Sequence, residues 1–312
     1  MNTRQLQCFL QVAEFKSFTR AAAVLHVAQP ALSRSVRALE DDLGVALFHR
    51  SERGVVLTEQ GELLRQRAGE LLAEMARVRD EVGAPARELR GELNFGMPPS
   101  MQQMVTVPLI RAFRAAHPGV SLRFTEGISA TLSEALLLGR IDVAVISANE
   151  PIASLANQLL LSEDMVLVAP RSARLRLAKP VSIAEVAERP LIVTPRPNSV
   201  RALIEKALAA HGRALRPVLE ANATSVMLQM VAAGQGWTVL PYSAVHAALL
   251  AAQVCAAPVE GLRIAWTIAQ SRERTLSRAG AELARLLREQ ASEAVRGGRW
   301  PSAELVEPTP PD

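Results

Sequence analysis

Gln29, Ser33, Arg34 and Arg37 stand at i, i+4, i+5 and i+8 in the run QPALSRSVRALE. On a helix that spacing gathers them on one polar face, with Pro30 beside them in the first turn. These side chains can read bases. A guanidinium pairs with guanine, a carboxamide with adenine, and a serine hydroxyl with a phosphate or base edge. Arg50 and Arg53 lie in the polar run HRSERG, between two short apolar runs. There they can reach a phosphate or the minor groove. A second set suits different chemistry. Pro99 and Ser100, Ser129, Ser147, then Thr194, Arg196, Asn198 and Thr224 each follow a strand-like run. Hydroxyls, a carboxamide, one arginine and free helix N–H groups suit a small anion such as a carboxylate. Each set has a plainer reading. The first is also the solvated face of a helical hairpin, and the second a series of helix caps.

The first set needs helices to position it. Leu6, Phe9, Leu10 and Ala13 recur at helical spacing, and Ser17 can cap a second helix that buries Phe18, Ala21, Ala22 and Leu25. The short turn His26-Val27-Ala28 leads to a third helix, whose Ala31, Leu32, Val36 and Leu39 face inward. Two helices across a tight turn, the second with an exposed Gln/Ser/Arg stripe, have helix-turn-helix geometry. Residues 45–48 and 55–57 then read as a strand pair, a hairpin wing carrying the two further arginines.

The run SFTRAAAVLHVAQPALSRSVRALEDDLGVALFHRSERGVVLTEQG resembles the N-terminal signature of LysR-type transcriptional regulators, over roughly residues 2–65. The resemblance implies that Gln29, Pro30, Ser33 and Arg34 face the major groove and that Arg53 sits in the wing. Ala28 departs from the pattern, standing where many members have a Ser or Thr cap.

A long helix is expected next. Leu57, Leu64, Leu71 and Val78 are seven apart, as are Gly61, Ala68, Met75 and Val82. This is a coiled-coil seam, with Thr58 as cap and Pro85 as stop. Leu64, Ala68, Leu71, Met75 and Val78 are the expected dimerisation residues. The other reading is a helix lying on its own protein. The family resemblance implies linker-helix dimers, usually assembled into tetramers.

From residue 91 strand and helix patterns alternate: strand 92–97, helix 101–116, strand 120–125, helix 129–138 and strand 141–146. Two runs, 157–161 and 164–169, suggest a crossover to a second lobe. That lobe holds strand 191–193, helix 199–211, strand 217–221, helix 225–234 and strand 237–240. Strand 262–269 and helix 276–296 return to the first. The second site set then lies at strand C-termini, with Ser100 poised to cap the helix after it. GELNFGMPPS, PLIRAFRAAHPGVSLRFTEGISATLSEALLLGRIDVAV and VAAGQGWTVLP resemble the LysR-type effector domain, a fold similar to periplasmic binding proteins. By that resemblance Ser100 and Ser129 take effector-contacting positions. The Met-Pro-Pro-Ser and Arg-Pro-Asn segments resemble the branch that includes the nitrogen-assimilation-control regulator, which names no effector.

The expected architecture is therefore α/β overall. Residues 1–57 form a winged helix-turn-helix, 58–90 a linker and dimerisation helix, and 91–297 an effector domain. Its first lobe takes 91–156 and 267–297, its second 157–266, and 298–312 is a Pro-rich mobile tail. The expected partners are double-stranded promoter DNA, a small-molecule effector and, by resemblance, RNA polymerase, bound by a homodimer or homotetramer.

Composition excludes much else. The 312 residues are 49% hydrophobic, enough for about two cored domains and too apolar for disorder. A net charge of +4 is too mild to indicate nucleic acid by itself, so placement carries the argument. No run of about 18 apolar residues lacks charge, so no membrane partner is expected. Glu14 and Lys16 interrupt what a secretory signal would need, so a cytoplasmic protein is expected. Cys8 and Cys255 make no disulfide framework or nearby redox pair, and the five histidines are scattered. No Gly-x-Ser-x-Gly, phosphate-cradling loop or Cys-x-x-Cys occurs, so no catalytic residue, metal or cofactor is expected. The alternative is a small-molecule-binding α/β protein or enzyme without a DNA role, which leaves the first sixty residues unexplained.

Overall fold

The computed structural model describes residues 1–51, 54–83, 89–148 and 152–306. They form two units, divided between Arg87 and Glu88. The first begins with α1 (Thr3–Phe15), capped reciprocally by Asn2 and Gln5. In α2 (Phe18–Val24) the Ser17 hydroxyl accepts from the Arg20 N–H, as the sequence predicts. Ala21 and Ala22 are buried and small, so α3 (Gln29–Leu43) can approach closely. His26 turns the chain between them at φ 52°. Phe9, Phe18 and Phe48 centre the core, with the Phe48 ring centroid 5.2 Å from that of Phe9 and 5.9 Å from that of Phe18. Cys8 is buried in the same core as a small apolar group.

The wing comprises β1 (Phe48–Ser51) and β2 (Gly54–Leu57), paired antiparallel from Phe48↔Leu57 to Ser51↔Gly54. It starts later than the expected strand at 45–48. Gly44 ends α3 in a left-handed conformation, and Glu40 Oε1 accepts from the Leu47 and Phe48 N–H groups at 2.8 and 3.3 Å. Residues 45–47 are thus held by α3 before the ladder begins. The linker helix α4 (Glu59–Gly83) follows. Thr58 caps it by accepting from Gly61 N–H, and its own hydroxyl donates to Ala46 O. Gly61 sits so close to the chain below that a Cβ there would lie 2.1 Å from Leu47 O.

The second unit is built on one seven-stranded sheet. At one edge of it the strands run parallel: β3 (Gly91–Met97) lies between the edge strand β4 (Val120–Glu126) and β5 (Val143–Ser147). Met97 leads through a 3₁₀ turn at Pro99–Met101 and a wide turn at Gln102–Thr106 into α5 (Val107–Ala116). Pro108 has no N–H, so the regular ladder starts only around it. β4 leads into α6 (Ser129–Leu137). Asp142 closes the start of β5: its carboxylate accepts from Asn94 N–H at 2.9 Å, the strand-end role its position suggests.

Two long strands span both lobes. β6 (Leu155–Pro170) pairs antiparallel with the later β10 (Val254–Ser271), from Leu155↔Ser271 to Pro170↔Val254. The expected pair of runs at 157–161 and 164–169 is therefore one strand, and the strand expected at 262–269 starts earlier. The polar break Ser162-Glu163-Asp164 does not interrupt β6, because each charge is met: Asp164 by Arg263 at 2.6 Å, Glu163 by four donors. Between these strands lie α7 (Ile183–Ala187), β7 (Leu191–Val193), α8 (Ser199–Ala210), β8 (Pro217–Glu220), α9 (Thr224–Ala232), β9 (Thr238–Pro241) and α10 (Tyr242–Leu250). β7 and β8 form a separate parallel pair, and β9 pairs with β6. α7 and α10 are additions to the expected elements.

α11 (Arg278–Arg296) packs against α5. The chain then returns to the sheet, which corrects the expectation of a mobile tail from residue 298. Trp300 is fully buried, and β11 (Ala303–Leu305) pairs with Leu161–Glu163 of β6. The apolar indole and a free sheet edge outweigh the Pro-rich composition. Residues 307–312 lie outside the described residues. Among the described residues no helix is long and apolar enough to cross a membrane.

Candidate functional site

Helix α3 carries the first candidate surface. Leu32, Val36 and Leu39 are buried, which turns Gln29, Pro30, Arg34 and Arg37 outward and leaves Ser33 half-buried. Arg34 and Arg37 make no ion pair among the described residues, so both guanidinium forks are available. Ala28 provides no side-chain cap, leaving the first N–H groups of α3 unmet by its own N-cap side chain. The Ala31 and Leu32 N–H groups donate to Ala28 O instead, at 2.9 and 3.1 Å, so the exposed arginines are what suits this face to a polyanion. In the wing, Arg50 lies on β1 by its backbone. Its side chain, and all of Arg53, lie outside the described residues.

The expected seam on α4 divides. Ala68 is 0% exposed and Leu64 half-buried, and both pack into the core of their own unit. This half of the stripe covers the chain's own domain, which is the other reading of the helix. Leu71 and Met75 are each 44% exposed in the single chain, Met75 with its sulfur accepting from the Thr3 hydroxyl at 3.6 Å. Val78 lies on the helix, but its side chain is outside the described residues.

The second candidate site is a cleft inside the second unit. Its narrow inner chamber, of about 60 Å³, is lined from one side by Pro99, Ser100 and Ser129 and from the other by Thr194, Asn198 and Thr224. Ser129, Ser199 and Thr224 open α6, α8 and α9, so three helix N-termini converge there. An outer chamber of about 350 Å³ adds Ser147, Arg196, Ile146 and Ile152 and shares Ser129 and Asn198. All eight expected effector residues thus line one or both chambers.

Their roles differ from one another. Ser100 is not the expected helix cap. It lies within the 3₁₀ turn, and its hydroxyl is buried with no protein partner, as is that of Thr194. The Ser129 hydroxyl accepts from Ser147 N–H at 2.9 Å, leaving its own proton to donate. Asn198 is a cap: its carbonyl accepts from Val200 and Arg201 N–H at 2.9 and 3.2 Å. Arg196 is exposed, and Glu205 already holds it at 2.7 Å. Among the described residues no charged side chain lines the inner chamber.

Two groups escape the sequence pattern. Arg201 donates to Thr194 O at 3.1 Å and pairs with Glu205 and Glu220, fixing the loop that carries Thr194. Hydrogen bonds to those two carboxylates raise its pKa above the ordinary arginine value. Its i, i+4 spacing from Glu205 is the available signal. Trp266 forms part of the inner wall and is 3% exposed. Its indole donates to the buried Glu163, a pairing between distant strands that no local pattern reveals.

The sequence of the second unit matches the family described as "LysR substrate binding domain" over residues 86–292, and the first matches "Bacterial regulatory helix-turn-helix protein, lysR family" over residues 3–62. The chain belongs to the LysR family of transcriptional regulators. LysR relatives align along nearly its whole length. The HTH-type transcriptional regulator BbuR of Bordetella bronchiseptica is 32% identical over 98% of this chain and 95% of its own. The nitrogen assimilation regulatory protein nac of Klebsiella aerogenes is 33% identical over 78% of this chain and 79% of its own. Among solved structures, full-length CbnR complexed with its target DNA superposes with a TM-score of 0.66 at 25% identity, covering 93% of this chain and 100% of that one. A full-length OxyR variant from Pseudomonas aeruginosa, with a TM-score of 0.73 at 22% identity over 100% of this chain and 99% of that one, shares the fold. A LysR regulator binds promoter DNA through its helix-turn-helix and a small effector through its second domain, and assembles into oligomers. The relatives of this chain are named regulators rather than enzymes.

Proposed function

We propose that this regulator responds to a small carboxylate bound in the inner chamber, and that it reads a pseudo-palindromic promoter site as a homodimer or homotetramer. The observation that carries the effector reading is the pair of buried, unpartnered hydroxyls, Ser100 and Thr194, on residues lining one neutral chamber at three helix N-termini. A buried polar group without a partner costs about 1–3 kcal/mol, and a ligand oxygen that accepts from it recovers that cost. With no cationic side chain lining the chamber among the described residues, helix N–H groups and hydroxyls supply the anion's partners. Arg34 and Arg37 of α3 read the major groove, and Arg50 and Arg53 hold the wing on the backbone. Leu71, Met75 and Val78 pair the linker helices. The effector acts through different affinities for two arrangements of the assembly, altering DNA bending and contact with RNA polymerase. A thermal-shift series with two- to six-carbon carboxylates, and with the matching neutral amides, tests the effector reading. Carboxylates should raise the melting temperature of the wild type and not of the Ser100→Ala, Thr194→Ala double variant. Equal stabilisation of both proteins would move the effector elsewhere.

A further inference from the structure

Glu163 is the most deeply buried charge-bearing group among the described residues, at 0% exposure. Both carboxylate oxygens are fully engaged. Oε1 accepts from the Ser243 hydroxyl and from Trp266 Nε1, each at 2.8 Å. Oε2 accepts from Ser243 N–H at 2.8 Å and from Trp300 Nε1 at 3.0 Å. Burial pushes this carboxyl's pKa up, against the pull of those four donors. Such a group is a poor way to gain stability, since an apolar core residue would do as well. What it does supply is position. Trp266 is part of the inner chamber wall, and so are Pro241 and Ala244, which flank Ser243 at the start of α10. One carboxylate therefore ties the β10 wall and the α10 wall together at fixed distances. The remaining donor, Trp300, comes from the segment after α11, held in place by the pairing of β11 with the very stretch of β6 that contains Glu163.

We propose that Glu163 and Trp300 are positioning residues of the effector cleft, through which the C-terminal segment sets where Trp266 and the start of α10 stand. This rests on the reading of the cleft as the effector site. The full-length chain has three tryptophans, Trp237, Trp266 and Trp300, so incorporated 5-fluorotryptophan gives three separate ¹⁹F reporters. Acetate serves as the probe, being a carboxylate small enough for the inner chamber. Trp300→Phe keeps a ring but removes the N–H. Glu163→Gln keeps the shape but turns an NH₂ toward one pair of donors. Each should move the Trp266 resonance without any ligand, leave Trp237 in place, and weaken acetate binding about fivefold or more, as a displaced hydrogen-bond partner does. Glu304→Gln, on β11 but touching only the exposed edge through Arg263, should leave both readouts unchanged.

A Trp266 resonance unmoved in Trp300→Phe, with acetate affinity within about twofold of the wild type, overturns the inference while the cleft stands. Equal movement of Trp237 and Trp266 would mean general loosening, and would also overturn it. If acetate fails to perturb Trp266 in the wild type yet Trp300→Phe still moves that resonance, the effector reading falls and the claim about cleft binding falls with it.

Discussion

Arg34 projects from α3 with no carboxylate partner among the described residues to hold it back. A guanidinium that meets a base edge discriminates one base, whereas one that meets a phosphate serves every sequence equally, and the first is the role proposed for Arg34. Arg34→Ala should therefore cost about 1–3 kcal/mol on the operator and relax preference at a single position. Competition titrations against operator and scrambled duplex separate the two outcomes. Single side chains are also where the sequence is easiest to read. Leu32, Val36 and Leu39 predict their own burial by periodicity, and their burial turns Gln29, Arg34 and Arg37 outward. The cleft hydroxyls are legible as positions after strands. Their division of labour is not, because whether Ser100 caps a turn or stays unpartnered depends on Pro99 and Pro108 bending the chain after β3. Trp266 and Glu163 meet across paired strands, and sequence spacing carries no record of such a contact.

Among the secondary-structure elements, α4 joins two tasks in one apolar stripe. Leu64, Ala68 and Leu72 cover the helix-turn-helix core, and Leu71 and Met75 keep an exposed part outside it. Leu71→Glu should leave the reading unit folded while shifting the oligomer toward monomer, which sedimentation would measure. A heptad count alone does not divide the stripe, since both tasks demand the same residues. Helix α11 offers a second test. Glu282 accepts from Arg285 at 2.7 and 2.8 Å and contacts His117 Nε2 of the α5 end at 3.3 Å. Arg285 foremost, with His117 assisting, holds this carboxyl down to about 2. A depressed carboxylate stabilises the fold above its unfolded value of about 4.5 and loses that contribution as pH falls through its folded value. The melting-temperature deficit of Glu282→Gln should thus shrink as the pH falls from about 4.5 to 2. The β6 strand, by contrast, reads in the sequence as two pieces. Three consecutive polar residues look like a break until their partners, Arg263, Ser243 and the two indoles, are in view.

Across the chain as a whole, net charge says little and placement much. A chain of only +4 gains its attraction to a duplex from a few arginines on one face, so binding must weaken with salt in proportion to those contacts. Each wing that loses Arg50 by substitution to alanine should reduce the slope of log affinity against log salt by about 0.9, as the loss of one phosphate contact does. Fluorescence anisotropy at several salt concentrations would show it. The division into a reading unit and a lobed α/β unit is visible in the change of pattern after residue 90. The end of the chain is not, because composition speaks for the prolines while a single indole, Trp300, decides the outcome.

The root of α4 has one more consequence. Thr58 is tied to both the helix and Ala46, and Gly61 is pressed on Leu47 O, so side chain and backbone together hold the junction between the wing and the first turn above it. The 25 residues of that helix make a lever about 37 Å long, clamped at its foot. A twist along that lever therefore meets the first unit at fixed contacts rather than at a free joint.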